Sequence, residues 1–203
     1  MVEELPTRKQ LDHRGPISLD ITGAWYFITI CATERVDYGR DGVPPPSASN
    51  GPFMAVANDI LECARQYHIR GKWKLALFLV MPDHIHFIVH VPTIAETAEP
   101  IGETAEGRGG TPSLPHVMQH WKHYVSEHFG VSFQKDFFDT RLRDDAHYAE
   151  KFRYICNNPV RKQCLIPDGR AVCPKPPRIC TRAVDWPYVI AFDRETGLER
   201  PHR

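Results

Sequence analysis

The sequence lacks an excess of charge of either sign. Lysine plus arginine and aspartate plus glutamate each number 25 among the 203 residues, so the formal net charge is zero. A protein that simply coats nucleic acid is normally basic overall, and this balance argues against that class. The charge is nevertheless uneven, because eight basic residues and one acidic residue, Asp168, lie between residues 151 and 182. That stretch is either a solvated tail or a surface that meets a polyanion.

The sequence also lacks a long apolar segment. Residues Met1 to Pro16 are polar and charged, without the apolar core of a signal peptide. No later run approaches the roughly 18 apolar residues of a membrane-spanning helix. We therefore expect a soluble, cytoplasmic protein that does not enter a membrane.

Cysteine pairs of the Cys-x-x-Cys type are absent, although the sequence contains six cysteines. This absence argues against a zinc ribbon. In a reducing cytosol the cysteines are most simply free thiols. A structural metal held by Cys164, Cys173 and Cys180, which lie close together in the sequence, is the minor alternative.

The hydrophobic pattern predicts an α+β fold with the element order strand, helix, two strands, helix, strand and helix. The predicted strands cover residues 24–32, 73–81, 84–91 and 133–142. The predicted helices cover residues 53–67, residues 115–129, and a segment that begins after an N-cap at Asp144 or Asp145 and ends at Asn157-Asn158-Pro159. Strands that follow each other without a helical crossover are antiparallel. We therefore expect a single antiparallel sheet with helices packed on one or both faces.

We divide the chain into a polar lead-in at 1–23, a domain at 24–165 and a basic, proline-rich C-terminal extension at 166–203. Residues 41–52 and 93–111 have the composition of loops. The segment Asp185-Trp186-Pro187-Tyr188 is predicted to dock an aromatic edge, and the tail from Arg194 is predicted to fray.

The central motif runs from Leu79 to His90, an apolar strand with histidines two residues apart. Because side chains alternate along a strand, His84, His86 and His90 share one face. The opposite face is expected to be core and carries Ile85, Phe87 and Val89. His84 and His86 would stand about 6–7 Å apart at Cα, close enough to hold one metal ion. The alternative is that the pair binds no metal, as most histidines do not.

A second motif places Tyr154 and Asn158 four residues apart, on one face of a predicted helix. An amide oxygen is a suitable third ligand for a hard divalent ion, and the remaining positions would accept and polarise a phosphate oxygen. A tyrosine one turn away stands where a nucleophile is needed. On spacing alone, the simpler interpretation is that Tyr154 packs half-buried and Asn158 caps the helix.

Together these two motifs resemble those of the HUH single-tyrosine transposases. The matching residues are Val80-Met81-Pro82-Asp83-His84-Ile85-His86 and Tyr154-Ile155-Cys156-Asn157-Asn158-Pro159-Val160-Arg161. Within that superfamily the sequence looks most like the REP-associated tyrosine transposases of bacteria. Three further segments are similar in the same order, namely Trp25-Tyr26-Phe27-Ile28-Thr29-Ile30, Trp121-Lys122, and Phe137-Phe138-Asp139 followed by Arg141 and Arg143. The likeness covers roughly residues 24–165.

The resemblance implies a ferredoxin-like, RRM-like HUH fold and a metal-dependent endonuclease and strand transferase acting on single-stranded hairpin DNA. His84 and His86 would be metal ligands for Mg²⁺ or Mn²⁺, with Asn158 as the third ligand where related transposases carry glutamine. Tyr154 would attack a phosphodiester and leave a 5′-phosphotyrosine link and a free 3′-hydroxyl. The candidates for DNA contact are Lys122, Arg141, Arg143, Arg161 and Lys162.

Two features depart from the family pattern. The loops at 41–52 and 93–111 look enlarged, and the chain beyond about residue 167 matches only loosely. Two other functions stay open: a regulatory protein that binds hairpin DNA without cutting it, and an unrelated metal-dependent hydrolase with a water nucleophile. The resemblance favours a monomer in the bacterial cytoplasm, associated with the nucleoid when it holds DNA, with a dimer as the alternative.

Overall fold

The computed structural model describes residues 24–34, 36, 51–91, 113–161 and 186–200. Its strands are β1 (Trp25–Cys31), β2 (Lys74–Val80), β3 (His84–His90), β4 (Phe138–Arg141) and β5 (Val189–Ala191). Its helices are α1 (Ala57–Ile69), α2 (Leu114–Phe129), α3 (Asp145–Cys156) and α4 (Asn158–Arg161), with a 3₁₀ turn at Met54–Val56 before α1. The strands form one sheet in the order β4-β1-β3-β2-β5, antiparallel throughout. The predicted α+β class with a single antiparallel sheet is confirmed.

Helices α1 and α2 cover one face of the sheet. The side chains of Ile85, Phe87 and Val89 point to this face from β3 and are fully buried, as the alternation predicts. The indoles of Trp73 and Trp121 pack together in the same core, with ring centres 5.8 Å apart. This larger core packs against the face of β3 that points away from its histidines.

Helix α3 packs on the opposite face of the sheet and forms a second, smaller core with it. Ile155 of α3 and Ile88 of β3 are both completely buried there. The histidines of β3 lie on this face too, and His84, His86 and His90 are only 4–5% exposed. They share one face, as predicted, and all three are buried on it.

Tyr154, the candidate nucleophile, lies on α3, and this helix ends before it reaches Asn158. The Asp144 side chain accepts a hydrogen bond from the His147 amide at 2.7 Å, which confirms an N-cap at the start of α3. Helix α3 ends two residues before Asn158. Pro159 has no N–H to continue the ladder, and the chain restarts as α4 with this proline in its first turn. Tyr154 and Asn158 therefore belong to consecutive helices, and the prediction that they share one face of a single helix is wrong.

Strand β4 is shorter than the strand predicted at 133–142. Phe133 makes an isolated bridge to Ala32, and the regular ladder with β1 begins at Phe138. Between these points the Lys122 ammonium binds two main-chain carbonyls of the segment. Those carbonyls accept hydrogen bonds from a side chain and not from a neighbouring strand.

Residues 186–200 extend the same fold. Strand β5 pairs with β2, and the fully buried Trp186 donates from Nε1 to the Val80 carbonyl at 2.8 Å. Beyond β5, Glu199 forms an ion pair with Arg65 of α1 at 2.8 Å. The prediction that the tail frays from Arg194 is therefore wrong through residue 200, because these contacts hold it. The domain boundary at residue 165 remains a prediction, but one strand of the sheet lies beyond it.

Several predictions fall outside the described residues. They concern the lead-in at 1–23, most of the loop at 41–52, the loop at 93–111, Lys162, and the cluster of Cys164, Cys173 and Cys180. Among the helices that the structure describes, none is both long enough and apolar enough to cross a bilayer.

Candidate active site

The site is built on the tight turn that joins β2 to β3. The Ala32 amide donates to the Asp83 carbonyl at 2.9 Å, and the Phe53 amide donates to the Pro82 carbonyl at 3.2 Å. Gly51 packs so closely on this turn that a Cβ there would lie 2.3 Å from the Pro82 oxygen. Two separate segments of the chain, the end of β1 and residues 51–53, therefore fix the backbone from which the histidines start.

Asp83 orients the first histidine. Its carboxylate is completely buried, and Oδ1 lies 2.6 Å from Nδ1 of His84 while Oδ2 accepts from the Val36 amide at 3.1 Å. A carboxylate only accepts hydrogen bonds, so His84 donates from Nδ1. Its lone pair is then on Nε2, which is the nitrogen that can coordinate a metal ion.

Thr29 of β1 orients the second histidine. Its hydroxyl lies 2.8 Å from Nδ1 of His86, which it faces across the β1–β3 ladder. Phe27, two residues earlier on β1, stacks on the His86 ring with centres 5.5 Å apart. The rings of His84 and His86 are 4.7 Å apart between centres and inclined at 73°. Both rings thus have a hydrogen-bond partner at Nδ1. A histidine that donates from Nδ1 keeps Nε2 for a metal ion, as metal-ligating histidines do.

Tyr154, in the last turn of α3, lies beside this pair. Its ring is edge-on to that of His86 at 5.5 Å and to that of Phe27 at 5.8 Å. The side chain is 38% exposed, so a large substrate can reach it. The Arg161 guanidinium lies 5.2 Å from the centre of the tyrosine ring. The structure therefore brings together the predicted nucleophile, one predicted ligand and one predicted DNA-binding residue.

Asn158 is the first residue of α4, just beyond the tyrosine helix, and it is 5% exposed. A buried polar side chain in this place is compatible with a ligand role, which remains a prediction. The donor set of two imidazoles and one amide oxygen fits a divalent ion between hard and borderline character, such as Mn²⁺. Among the described residues, no group of three or more His, Cys, Asp or Glu could hold a metal ion. The predicted ligand set of His84, His86 and Asn158 contains only two residues of those four types and is therefore not a group of this kind.

Lys122 is the predicted DNA-binding residue that the structure places away from the site. It lies on α2, across the sheet from Tyr154, and its ammonium donates to the Gln134 and Lys135 carbonyls at 2.6 and 2.8 Å. Burial lowers the pKa of this ammonium. Its observed role is to tie α2 to the segment before β4, and a DNA contact stays a prediction.

The other predicted DNA contacts divide between the two faces. Arg161 stands over Tyr154. Arg143 is exposed in the loop before α3. Arg141 is the ladder partner of Tyr26, whose side chain packs in the core under α1 and α2, so Arg141 shares that face and not the face of the histidines.

Sequence reasoning missed the side chains that orient the two candidate ligands. Asp83 was visible in the motif next to His84, but its burial and its hydrogen bond were not. Thr29 and Phe27 are two apart on a predicted strand, so alternation placed them on one face. The sequence did not show the register in which β1 pairs with β3, and this register sets Thr29 opposite His86. A cation also lies close by, since the Lys151 ammonium is 5.9 Å from the Phe27 ring centre.

Cys156 lies two residues after the tyrosine and is the nearest competing nucleophile on α3. Burial raises the pKa of its thiol to about 11. The thiol is therefore protonated near neutral pH, and the reactive thiolate is scarce. Tyr154 is the exposed nucleophile candidate at this end of the helix.

The fold is similar to that of a solved structure described as a REP-associated tyrosine transposase bound to a REP hairpin. The two chains are 16% identical, the match covers 83% of this chain and 76% of the other, and the TM-score is 0.52. This similarity indicates a distant structural relationship. No protein-family model matches the sequence. No curated protein matches it either.

Proposed function

We propose that this protein is a metal-dependent endonuclease and strand transferase for single-stranded DNA, a transposase in which Tyr154 is the nucleophile. The observation that carries the proposal is the exposed Tyr154 ring, 5.5 Å from the ring of His86. The hydrogen bonds that hold Nδ1 of His84 and His86 support a ligand role for both residues. The similarity to a transposase fold supports a role on DNA.

The proposed reaction is a transesterification. The Tyr154 oxygen forms a bond to phosphorus, and the bond between phosphorus and the 3′ oxygen breaks. The phenol loses its proton and the departing oxygen gains one, so the products are a 5′-phosphotyrosine and a 3′-hydroxyl. Because one phosphoester bond replaces another, a second 3′-hydroxyl can reverse the step and join strands without an external energy source.

The residues around Tyr154 would position and neutralise the phosphate. The Arg161 guanidinium, 5.2 Å from the centre of the tyrosine ring, would supply positive charge near the negative charge that develops on the phosphate. His84, His86 and Asn158 would hold Mg²⁺ or Mn²⁺, which when bound supplies Lewis-acid polarisation of the phosphate. Asp83 and Thr29 keep the two imidazoles in orientation.

The proposed substrate is hairpin DNA with a single-stranded flank. The structural neighbour is bound to a REP hairpin. In this chain, exposed aromatic and basic side chains lie together at Tyr154 and Arg161, a combination that suits unpaired nucleotides. We propose that a monomer carries out the reaction, because both motifs meet within one chain.

The test is a denaturing gel of the protein mixed with hairpin DNA, with and without Mn²⁺. A 3′ label should move with the protein, because the proposed adduct holds the 5′ end of the downstream fragment. A 5′ label should instead appear in a shorter free strand. Tyr154→Phe should abolish both products and keep DNA binding. Tyr148→Phe, a half-buried tyrosine on the same helix, is the matched control and should retain both.

The other outcomes identify the alternatives. A shortened strand without a protein adduct, retained in Tyr154→Phe, would contradict the tyrosine mechanism and point to a water nucleophile. Binding of the hairpin without any cleavage would favour a regulatory binding protein. Cleavage by His84→Ala or His86→Ala at the wild-type rate, at low Mn²⁺, would contradict the proposed metal site.

A further inference from the structure

Phe138 is an exposed aromatic side chain on a strand at the edge of the sheet. It opens β4, and 38% of its surface is accessible although the neighbouring Phe137 packs against the main core. Leaving a phenylalanine ring partly in water forfeits part of its hydrophobic stabilisation. The accessible part of the ring can be reached by a ligand.

The register places Phe138 in line with the candidate metal ligands. Thr29 of β1 is opposite Phe138 on one side and opposite His86 on the other. Directly opposed residues in antiparallel strands point to the same face. Because the Thr29 hydroxyl points to the His86 ring, Phe138 lies on the histidine face as well. With strands about 4.8 Å apart, its Cα is about 10 Å from that of His86.

The same face carries aromatic rings and cations in alternation. Tyr154 is 38% exposed and has the Arg161 guanidinium beside its ring. The Lys151 ammonium lies over Phe27, with the exposed Glu150 as its ion-pair partner at 3.0 Å. Proteins that hold single-stranded nucleic acid combine such cations with aromatic rings on which bases stack.

We infer that Phe138 is a stacking platform for a nucleobase next to the phosphate that Tyr154 attacks. The inference rests on the proposed function and adds a specific contact to it. An unpaired base on the ring would hold the strand beside β4, with its phosphate toward the tyrosine. Stacking tolerates any base, so Phe138 would contribute affinity and position and not sequence preference.

The test measures binding in a Tyr154→Phe background, where no cleavage interferes. The probe is a fluorescein-labelled hairpin with a single-stranded thymidine flank, read by fluorescence anisotropy. Phe138→Leu should weaken binding by about 5- to 150-fold, the range for loss of one stacked base. Phe138→Trp should keep or improve affinity. Tyr124→Leu, 41% exposed on α2 across the sheet, is the matched control and should leave affinity unchanged.

A second set of binding measurements identifies the base that stacks on Phe138. Each thymidine of the flank is replaced in turn by an abasic nucleotide, and one replacement should weaken binding as much as Phe138→Leu does. Combining that replacement with Phe138→Leu should produce no further loss, because both remove the same contact. If the loss from every abasic replacement adds fully to the loss from Phe138→Leu, the inference is overturned.

Failure of the inference can be told apart from failure of the proposed function. If the Tyr154→Phe protein binds the hairpin and the wild type cuts it, but Phe138→Leu matches its parent, then only the stacking platform is refuted. If the parent does not bind the hairpin at all, both proposals are refuted. An equal loss in Tyr124→Leu would also refute the platform, because any exposed aromatic residue would then act alike.

Discussion

Replacing Asp83 by asparagine tests the support of the proposed metal site with little change in shape. Within the described part of the chain, the carboxylate accepts hydrogen bonds from His84 Nδ1 at 2.6 Å and from the Val36 amide at 3.1 Å. Asparagine offers one acceptor oxygen and a donor NH₂ group in place of the second oxygen. One of the two donors would then face another donor inside the protein, and the negative charge next to His84 would be gone.

The expected loss of metal affinity can be estimated from other groups that orient metal-ligating histidines. Loss of a partner that orients a metal-ligating histidine typically lowers metal affinity by about 10- to 100-fold. That range equals about 1.4–2.8 kcal/mol of binding free energy. We expect the upper half of the range, because the Asp83 carboxylate is fully buried and the hydrogen bond is short and charge-assisted.

The assay is the Mn²⁺ dependence of hairpin cleavage, together with calorimetric titration of Mn²⁺ into the DNA-free protein. The half-saturating concentration should rise about 10- to 100-fold, and excess Mn²⁺ should restore most of the activity. Asp59→Asn, an exposed position in the first turn of α1, is the control and should change neither value. An unchanged half-saturating concentration in a folded Asp83→Asn protein would refute the proposed role of this carboxylate.

Three further predictions concern the scaffold. Gly51→Ala should lower the free energy of unfolding by about 1–3 kcal/mol in urea titrations, because the new Cβ overlaps the Pro82 carbonyl; equal stability would mean that the turn relaxes freely. Trp186→Ala should lower the free energy of unfolding by about 3–5 kcal/mol in the same titrations, since the indole is fully buried and donates a hydrogen bond to the Val80 carbonyl. An unchanged free energy of unfolding would mean that the C-terminal segment contributes nothing to the stability of the fold. Hydrogen bonds led by the Thr196 amide lower the pKa of Asp193 from 3.8 to about 2. Its contribution to stability should therefore be complete above about pH 4 and be lost as the pH falls through about 2, and melting curves of Asp193→Asn should lack this acid dependence.

The element order could be predicted because it depends on local patterns. The strand predicted at 84–91 is observed at His84–His90, and the helix predicted at 115–129 is observed at Leu114–Phe129. Errors arose where distant contacts decide the outcome. Strand β5 was not predicted, because three residues of a proline-rich tail become a strand only beside the edge of β2. The tail after it is ordered by an ion pair between Glu199 and Arg65, which lie far apart in the sequence.

Within the site, the sequence alone determined which residues of a strand share a face. Alternation is a property of the extended backbone, so His84 and His86 had to point the same way wherever the strand lay. Only the tertiary structure decided what meets them there. The pairing of β1 with β3 sets Thr29 opposite His86, and the packing of α3 on the sheet brings Tyr154 beside the same ring. Register and helix packing depend on the whole chain, because burial of both sheet faces fixes them together.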